Sequence, residues 1–476
     1  MIKSLLLAMP DSISKFDVFA RLPNLGIASI AGNIDPGVCD VKVADLVLAR
    51  RRPEKYVLDT LREQFPDLVG LSCMSFQYNS AVKLAKLIKA YDKNILVALG
   101  GYHPTVMCKE VSESPESQFI DFIIQGEGEG TFNELVTAMN AGRGYDRIAG
   151  LSYKTNGSFH HNLPRDLLSP DAIQLPMRDA RLITKGFYIF DMPADVIETS
   201  RGCTYKCKFC SIGHMYGRNF RGYEFGRIIE DIRDAQKRGA RALMFADDNI
   251  MLDPGRLERL CDEIIAAKLN SIHYVFQASV RGTAHSEKLV RKMADAGVKG
   301  LFLGIESTSE ATLDLLRKKT TTLSDTRKAM KYLRNSGIIT LGGLIVGNPN
   351  DDEKSLWRNV KAAIELGLDT VIFFILVPHL KTEIREELMA EGLVEKIDDF
   401  STYHGFAANA RTKHLTLEDV DRIVHEMYGA YYYRLDYVRS TQLRKKYPMY
   451  FWKTAFKQFL IALMIQIRGL LKRKRA

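Results

Sequence analysis

The chain reads as an α/β protein with two successive parallel-sheet units: a doubly wound domain, then a partial (β/α)6 barrel, then a helical C-terminal extension. Three observations carry this reading. Short apolar runs alternate with amphipathic helical patterns twice over, once in residues 1–140 and again in 195–385. A stretch rich in proline and polar residues, 141–194, separates the two series and reads as a linker. After about residue 385 the alternation gives way to helical patterns, in 386–448 and 449–476. At 476 residues the chain also exceeds what one hydrophobic core usually organises.

The first series places strands at 4–9, 39–46, 67–73, 94–101 and 121–126. Between them lie patterns such as PEKYVLDTLREQF and SAVKLAKLIKAY, with apolar residues three and four apart. Such alternation implies parallel strands covered on both faces, and these sheets bind ligands beyond the carboxyl ends of their strands. The loops at those ends are SCMSFQ, GGYHPT and GEGEGT. They make Ser72, Ser75, Gly100, Gly101, His103, Gly126, Glu127 and Gly128 candidate contacts for one large ligand. Each loop has a plainer reading, since a glycine pair serves a tight turn and acids suit a helix N-terminus. Three such loops in succession on one edge favour the ligand.

The second series opens at Asp195, with strands expected at 195–200, 242–248, 272–279, 300–307, 339–347 and 370–378. Six strand–helix units fit a partial barrel. Polar residues gather at the strand ends (Asp247, Asp248, Gln277, Ser279, Glu306, Asn348), where a barrel carries its chemistry.

Composition excludes several classes. With 46% hydrophobic and 26% charged residues, the chain is an ordinary globular protein. Cys39, Cys73, Cys108 and Cys261 are scattered singly and the cysteine total of 7 is odd, which argues against a disulfide framework and for a reducing, cytoplasmic setting. The N-terminal apolar run reads as a buried strand, and nothing approaches the roughly 20 apolar residues of a membrane span. The net charge of +10 gathers largely near the C-terminal end without any nucleic-acid-binding motif, so no nucleic-acid partner is expected.

The remaining three cysteines stand together in CTYKCKFC, residues 203–210. Cysteines so closely spaced read as metal ligands. A structural zinc ion wants four ligands, and His214 would complete a Cys₃His set. An iron–sulfur cluster held by three thiolates would instead keep one iron open to a ligand. Spacing alone leaves both alternatives standing.

CTYKCKFC also resembles the C-x₃-C-x-Φ-C motif of the radical S-adenosylmethionine (SAM) enzymes (Φ aromatic), and it sits, as theirs does, after the first barrel strand. The resemblance implies a 4Fe–4S cluster on Cys203, Cys207 and Cys210. The open iron of such a cluster chelates SAM, whose reductive cleavage yields a 5′-deoxyadenosyl radical. It further implies SAM contacts at Phe209 beside adenine, Asp247 and Asp248 at the amino group, Arg281 at the carboxylate, Glu306 at the ribose and Gly347 near adenine. An electron donor such as flavodoxin or ferredoxin is implied as a partner.

The series VGLSCMS, LVALGGYHPT and DFIIQGEGEGTF resembles the Rossmann-like cobalamin-binding domain that precedes the barrel in one large subfamily. The D-x-H-x-x-G loop that supplies a lower cobalt ligand in mutase-type domains is absent. His103 lies in a different loop, so the resemblance extends no ligand role to it. Together the cofactors imply methylation of an unactivated carbon in a small-molecule substrate. The alternatives are cyclisation, rearrangement or oxidation without net methyl transfer, and, outside enzymes, a cobalamin- or cluster-based sensor.

In the extension, a helix starts at Thr416 with a capping pattern. The last segment, 449–476, sets Tyr450 and Trp452 before an apolar run and Lys472, Arg473, Lys474 and Arg475 after it. It suits a helix lying on a membrane surface, peripheral at the inner face, and equally a helix docked on the barrel. The membrane reading favours a lipid-like substrate and resembles the lipid branch of the subfamily, such as hopanoid methylases. Peptides, tetrapyrroles and antibiotic precursors stay open.

Overall fold

The computed structural model describes residues 1–12, 16–318 and 321–457. The apolar and basic part of the expected last helix, 458–476, lies outside the described residues.

The first strand, Ile2–Ala8, buries Leu5, Leu6 and Leu7 and pairs in parallel with Cys39–Asp45 on one side and Leu68–Ser72 on the other. Leu96–Gly100 and Phe122–Ile124 continue the sheet on the second side. Because the chain starts in the middle and winds one way and then the other, its connections diverge after strands 2–8 and 68–72. That is a topological switch point, where a crevice opens at the carboxyl ends. Both faces are covered. Pro53–Gln64 and Tyr78–Tyr91 bury Val57, Leu61, Leu84 and Ile88 on one face, while Leu25–Gly32 and Gly128–Asn140 bury Ile27, Ala31, Phe132 and Leu135 on the other.

The stretch read as an irregular linker contains a hairpin. Leu151–Thr155 and Ser158–His161 add two antiparallel strands to the first sheet, joined through Asn156 and Gly157 at φ 51° and 83°. An Asn-Gly pair tolerates positive φ at both turn positions, so the signal was present in the sequence. Further on, Arg178 rivets the stretch to the barrel. Its guanidinium is fully buried and donates to Asp195 at 3.1 Å, Asp231 at 2.6 Å and the Val196 carbonyl at 3.0 Å.

Among the described residues the second sheet runs through six parallel strands in chain order: Met192–Ile197, Ala242–Phe245, His273–Ser279, Val298–Glu306, Ile339–Val346 and Thr370–Ile375. Its first edge is extended by Tyr188–Ile189 and then by Ala20–Arg21 of the first domain. Its last edge would present unpaired N–H and C=O groups, and helix Leu417–Tyr432 covers it with tyrosines. The Tyr428 hydroxyl accepts from Phe373 N at 3.0 Å and donates to its carbonyl at 3.2 Å. The Tyr432 hydroxyl does the same for Val371, at 3.0 and 2.9 Å. Four helical residues rise about 6 Å and two strand residues about 6.6 Å, so the spacings match. Thr416 caps this helix by accepting from Asp419 N.

Candidate active site: the cysteine loop and the cavity between the domains

After strand Met192–Ile197 the chain makes a neck. Ser200–Arg201 pairs antiparallel with Arg221–Gly222, and the loop 202–220 between them carries Cys203, Cys207 and Cys210. Gly202, at φ 88°, lets the loop turn where a Cβ would collide with the Asn219 carbonyl. Two acids from the next strand end hold the neck. Asp247 is fully buried and accepts from Thr199 N at 3.1 Å, Thr199 Oγ1 at 2.6 Å and Ser200 Oγ at 2.5 Å. Asp248 accepts from Gly202 N at 2.8 Å. Burial pushes both carboxyls up to about 6, against the hydrogen bonds that favour their ionised forms.

Beyond the loop lies a cavity of about 800 Å³ shared by the two domains. Met9, Asp45 and Ser75 bound it at the switch point of the first sheet, and Met244, Phe302 and Phe374 bound it from inside the barrel. Phe209 and Glu306 stand at its side.

Comparison with known proteins bears on both features. The family model described as the radical SAM superfamily matches residues 197–363, and the B12 binding domain matches residues 16–136. An uncharacterized methyltransferase of Pyrococcus horikoshii is 30% identical over 438 residues, 91% of this chain and 93% of that protein. The chain belongs to the cobalamin-binding radical SAM enzymes. An anaerobic magnesium-protoporphyrin IX monomethyl ester cyclase of Rubrivivax gelatinosus is 25% identical over 403 residues, 82% of this chain and 70% of that one. In fold, the chain is similar to TsrM, a radical SAM methyltransferase of Kitasatospora setae solved with cobalamin and a 4Fe–4S cluster bound. The TM-score is 0.67 at 18% identity, covering 82% of this chain and 78% of that chain. The cofactors of this radical SAM enzyme are accordingly the 4Fe–4S cluster, SAM and cobalamin.

Three thiols on one loop are the donor type a 4Fe–4S cluster takes, and here Cys207 is buried, Cys203 half-buried and Cys210 exposed. Among the described residues no three histidine, cysteine, aspartate or glutamate side chains stand close enough together to hold a metal ion. Burial pushes the Cys207 thiol up to about 11, against the pull of Lys318 towards the thiolate. His214, the fourth ligand of the zinc alternative, is exposed on the helical turn Gly213–Tyr216.

The residues matched to SAM contacts divide. Phe209 and Glu306 reach the cavity. Glu306 ends its strand at a register shift with φ 63°, a left-handed backbone conformation that non-glycine residues adopt uncommonly. Its carboxylate accepts from Lys318 Nζ at 2.8 Å, and that ammonium stands 5.8 Å from the Phe209 ring centroid. Burial opposes the ammonium, but Glu306, with Cys207 and Cys210, holds the Lys318 pKa above the ordinary lysine value. Lys318 was not singled out in the sequence, where it stands in a lysine-rich run that reads as solvated surface. Arg281, expected at the carboxylate of SAM, is exposed on Val280–His285. Asp247 has its oxygens engaged inside the neck. Gly347, at φ 74°, faces helix Leu417–Tyr432: a Cβ there would lie 3.3 Å from Val420.

The first-domain candidates divide as well. Ser75 lines the cavity, and its hydroxyl is buried without a protein partner, a site fit for a polar ligand group. Ser72, Gly100 and Gly101 are not among the residues that line the cavity; a Cβ on Gly101, at φ 99°, would sit 2.8 Å from the Cys73 carbonyl oxygen, so that glycine serves the packing of the strand ends. His103 is 1% exposed, stacked on Tyr78 at 4.2 Å and edge-on to Phe400 at 4.8 Å, so it is a packed side chain of the domain. Two histidines not singled out in the sequence, His379 and His404, line the cavity. Glu127 turns away from the crevice and binds two barrel arginines, Arg201 and Arg221, flanked by Gly126 and Gly128.

Proposed function

We propose that this radical SAM enzyme methylates an unactivated carbon of a largely apolar small molecule held in the cavity between its domains. In this reading Cys203, Cys207 and Cys210 hold the cluster, Phe209, Glu306 and Lys318 stand at SAM, and the edge around Ser75 meets cobalamin. When bound, the cluster and SAM supply a radical that removes a hydrogen atom, and cobalamin supplies the methyl group. The observation that carries the proposal is the cavity wall. Five successive barrel strands contribute Met244, Val275, Phe302, Leu341 and Ile372 to the same space that Phe209 and Ser75 bound. Such a wall gains about 25 cal/mol per Å² of apolar surface it covers, while Ser75, Gln277, His379 and His404 on the same lining give a few polar groups of the substrate their partners. The Glu306–Lys318 pair neutralises itself, so Glu306 adds no unpaired charge to the barrel side of the cavity.

The methyltransferase relative supports methyl transfer, and ring closure, the activity named for the Rubrivivax relative, is the alternative outcome. The test is anaerobic, reconstituted protein with a reduced flavodoxin or ferredoxin, SAM labelled in its methyl group and an extract of apolar metabolites. A labelled product together with 5′-deoxyadenosine supports the proposal. 5′-Deoxyadenosine with an unlabelled, altered product supports ring closure, and no 5′-deoxyadenosine with any extract supports a sensor. A Cys210→Ser control should lose both signals.

For the membrane, support comes from Leu435, Met449, Trp452 and Phe456, exposed by 75, 86, 54 and 63% along the segment that leads to residue 458. Residues 448–457 are helical, and no described helix is long and apolar enough to cross a bilayer. Tyr450, expected at the headgroups, is instead buried, donating to the Val18 carbonyl at 2.6 Å and packed edge-on to Phe190. Its docking leaves the neighbouring Trp452 outward. Sedimentation of the full chain with vesicles of anionic phospholipid should fall when Met449, Trp452 and Phe456 are changed to serine. Equal sedimentation refutes a peripheral, lipid-facing role.

A further inference from the structure

The GEGEGT loop stood out in the sequence as a ligand edge, yet the cavity does not use it. Its acids reach 74 positions along the chain to the neck of the cysteine loop. In that neck Arg201 and Arg221 are register partners, two like charges directly opposite one another, an arrangement that pushes a two-stranded ribbon apart. Both donate to the same oxygen of Glu127, Arg201 at 2.9 Å and Arg221 at 2.7 Å. The other Glu127 oxygen accepts from Arg221 at 3.2 Å and from Leu168 N at 3.1 Å. Arg201 also reaches Glu129 and Glu198, each at 2.7 Å, while Arg221 has its one ion pair among the described residues with Glu127. The side chains of Glu127 and Arg201 are 3 and 7% exposed, so water and salt screen the contact little.

We propose that Glu127 is a positioning residue that closes the neck of the cysteine loop from the cobalamin-binding domain. The first domain thereby sets the geometry of the loop that holds the cluster. The barrel alone supplies Glu198 against two opposed arginines, and the missing negative charge comes from the other domain. The glycines on either side serve this placement: Gly126 takes φ 72°, and a Cβ on Gly128 would lie 2.8 Å from Ile30. The loop follows the strand Phe122–Ile124 of the sheet whose edge borders the cavity, so a ligand that orders this edge also orders the neck. By linkage, a loaded cluster then strengthens cobalamin binding by the same factor. The inference rests on the cluster and cobalamin of the family, not on which group is transferred.

Hydrogen exchange on the full chain tests it, before and after cobalamin is added. Glu127→Gln should speed exchange of amides in 202–220 at least tenfold while the barrel strand His273–Ser279 keeps its native rate. In the native chain cobalamin should slow exchange in 202–220, and in the variant it should not. After reconstitution, the electron paramagnetic resonance signal of the reduced cluster with SAM should broaden in the variant. Arg221→Lys keeps the charge but loses the fork, so its rise in exchange should be smaller. An unchanged rate in 202–220 overturns the proposal by showing that Glu127 does not hold the neck, and an equal rise in 202–220 and His273–Ser279 overturns it by reducing Glu127 to a contributor to overall stability. Loss of methyl transfer alone, with these exchange results intact, would instead count against the proposed reaction.

Discussion

Replacing His103 by phenylalanine tests the placement of that residue through both stability and cobalamin. Burial lowers the pKa of His103 from 6.5 to about 4, outweighing the opposite pull of Glu110. The folded state therefore keeps the imidazole neutral while the unfolded chain binds a proton. Stability from this group is fully present above pH 6.5 and is lost as pH falls towards 4, since the unfolded state holds more protons across that window. A shift of this size amounts to about 3.4 kcal/mol at the acid limit and about 2 kcal/mol at pH 5. Phenylalanine keeps a ring against Tyr78 and Phe400 and removes both the titration and the buried Nδ1, which has no partner. Urea unfolding of the cofactor-free protein at pH 5 and pH 8 measures the difference. His103→Phe should narrow the gap by about 2 kcal/mol relative to the parent, in which His379, also lowered to about 4 by burial, continues to titrate. The absorption spectrum of bound cobalamin should be unchanged. An unaltered gap would refute the buried, neutral histidine, and a shifted spectrum would show that the residue lies against cobalt.

Two further changes probe the scaffold. Tyr428→Phe and Tyr432→Phe each strip a hydroxyl from the edge of Thr370–Ile375 and should cost about 1–3 kcal/mol, and the double variant should scatter light through edge pairing; an unshifted denaturation midpoint would show that water replaces the hydroxyls. Arg178→Met strands the buried Asp231 carboxylate and should cost about 3–5 kcal/mol, part of which Asp231→Asn should restore; full stability of the single variant would refute the rivet.

How far the sequence reached depended on the range of the interaction. Strands such as Ile2–Ala8 and Ile339–Val346 were legible because continuous apolar runs declare themselves locally. The hairpin 151–161 is faint in the sequence because its second strand is mostly exposed and carries almost no apolar signal, which leaves the Asn-Gly turn as its one local mark. Asp247 and Asp248 looked alike at a strand end. Successive residues of an extended chain point to opposite sides, and only packing decided that Asp247 is enclosed while Asp248 stays partly open. Arg281 looked like the cation for SAM, but helix Val280–His285 turns it to solvent and leaves Lys318 as the buried cation.

By itself, the sequence determined the order of the two α/β units and the three thiols of one short loop, since each is a matter of neighbours along the chain. Tertiary structure decided which side chains meet: Glu306 with Lys318 across 12 positions, Glu127 with Arg201 across 74, and the apolar wall drawn from five strands. The physical reason is that a buried charge must find its counter-charge wherever folding brings one within about 3 Å, and separation along the chain carries no record of that distance.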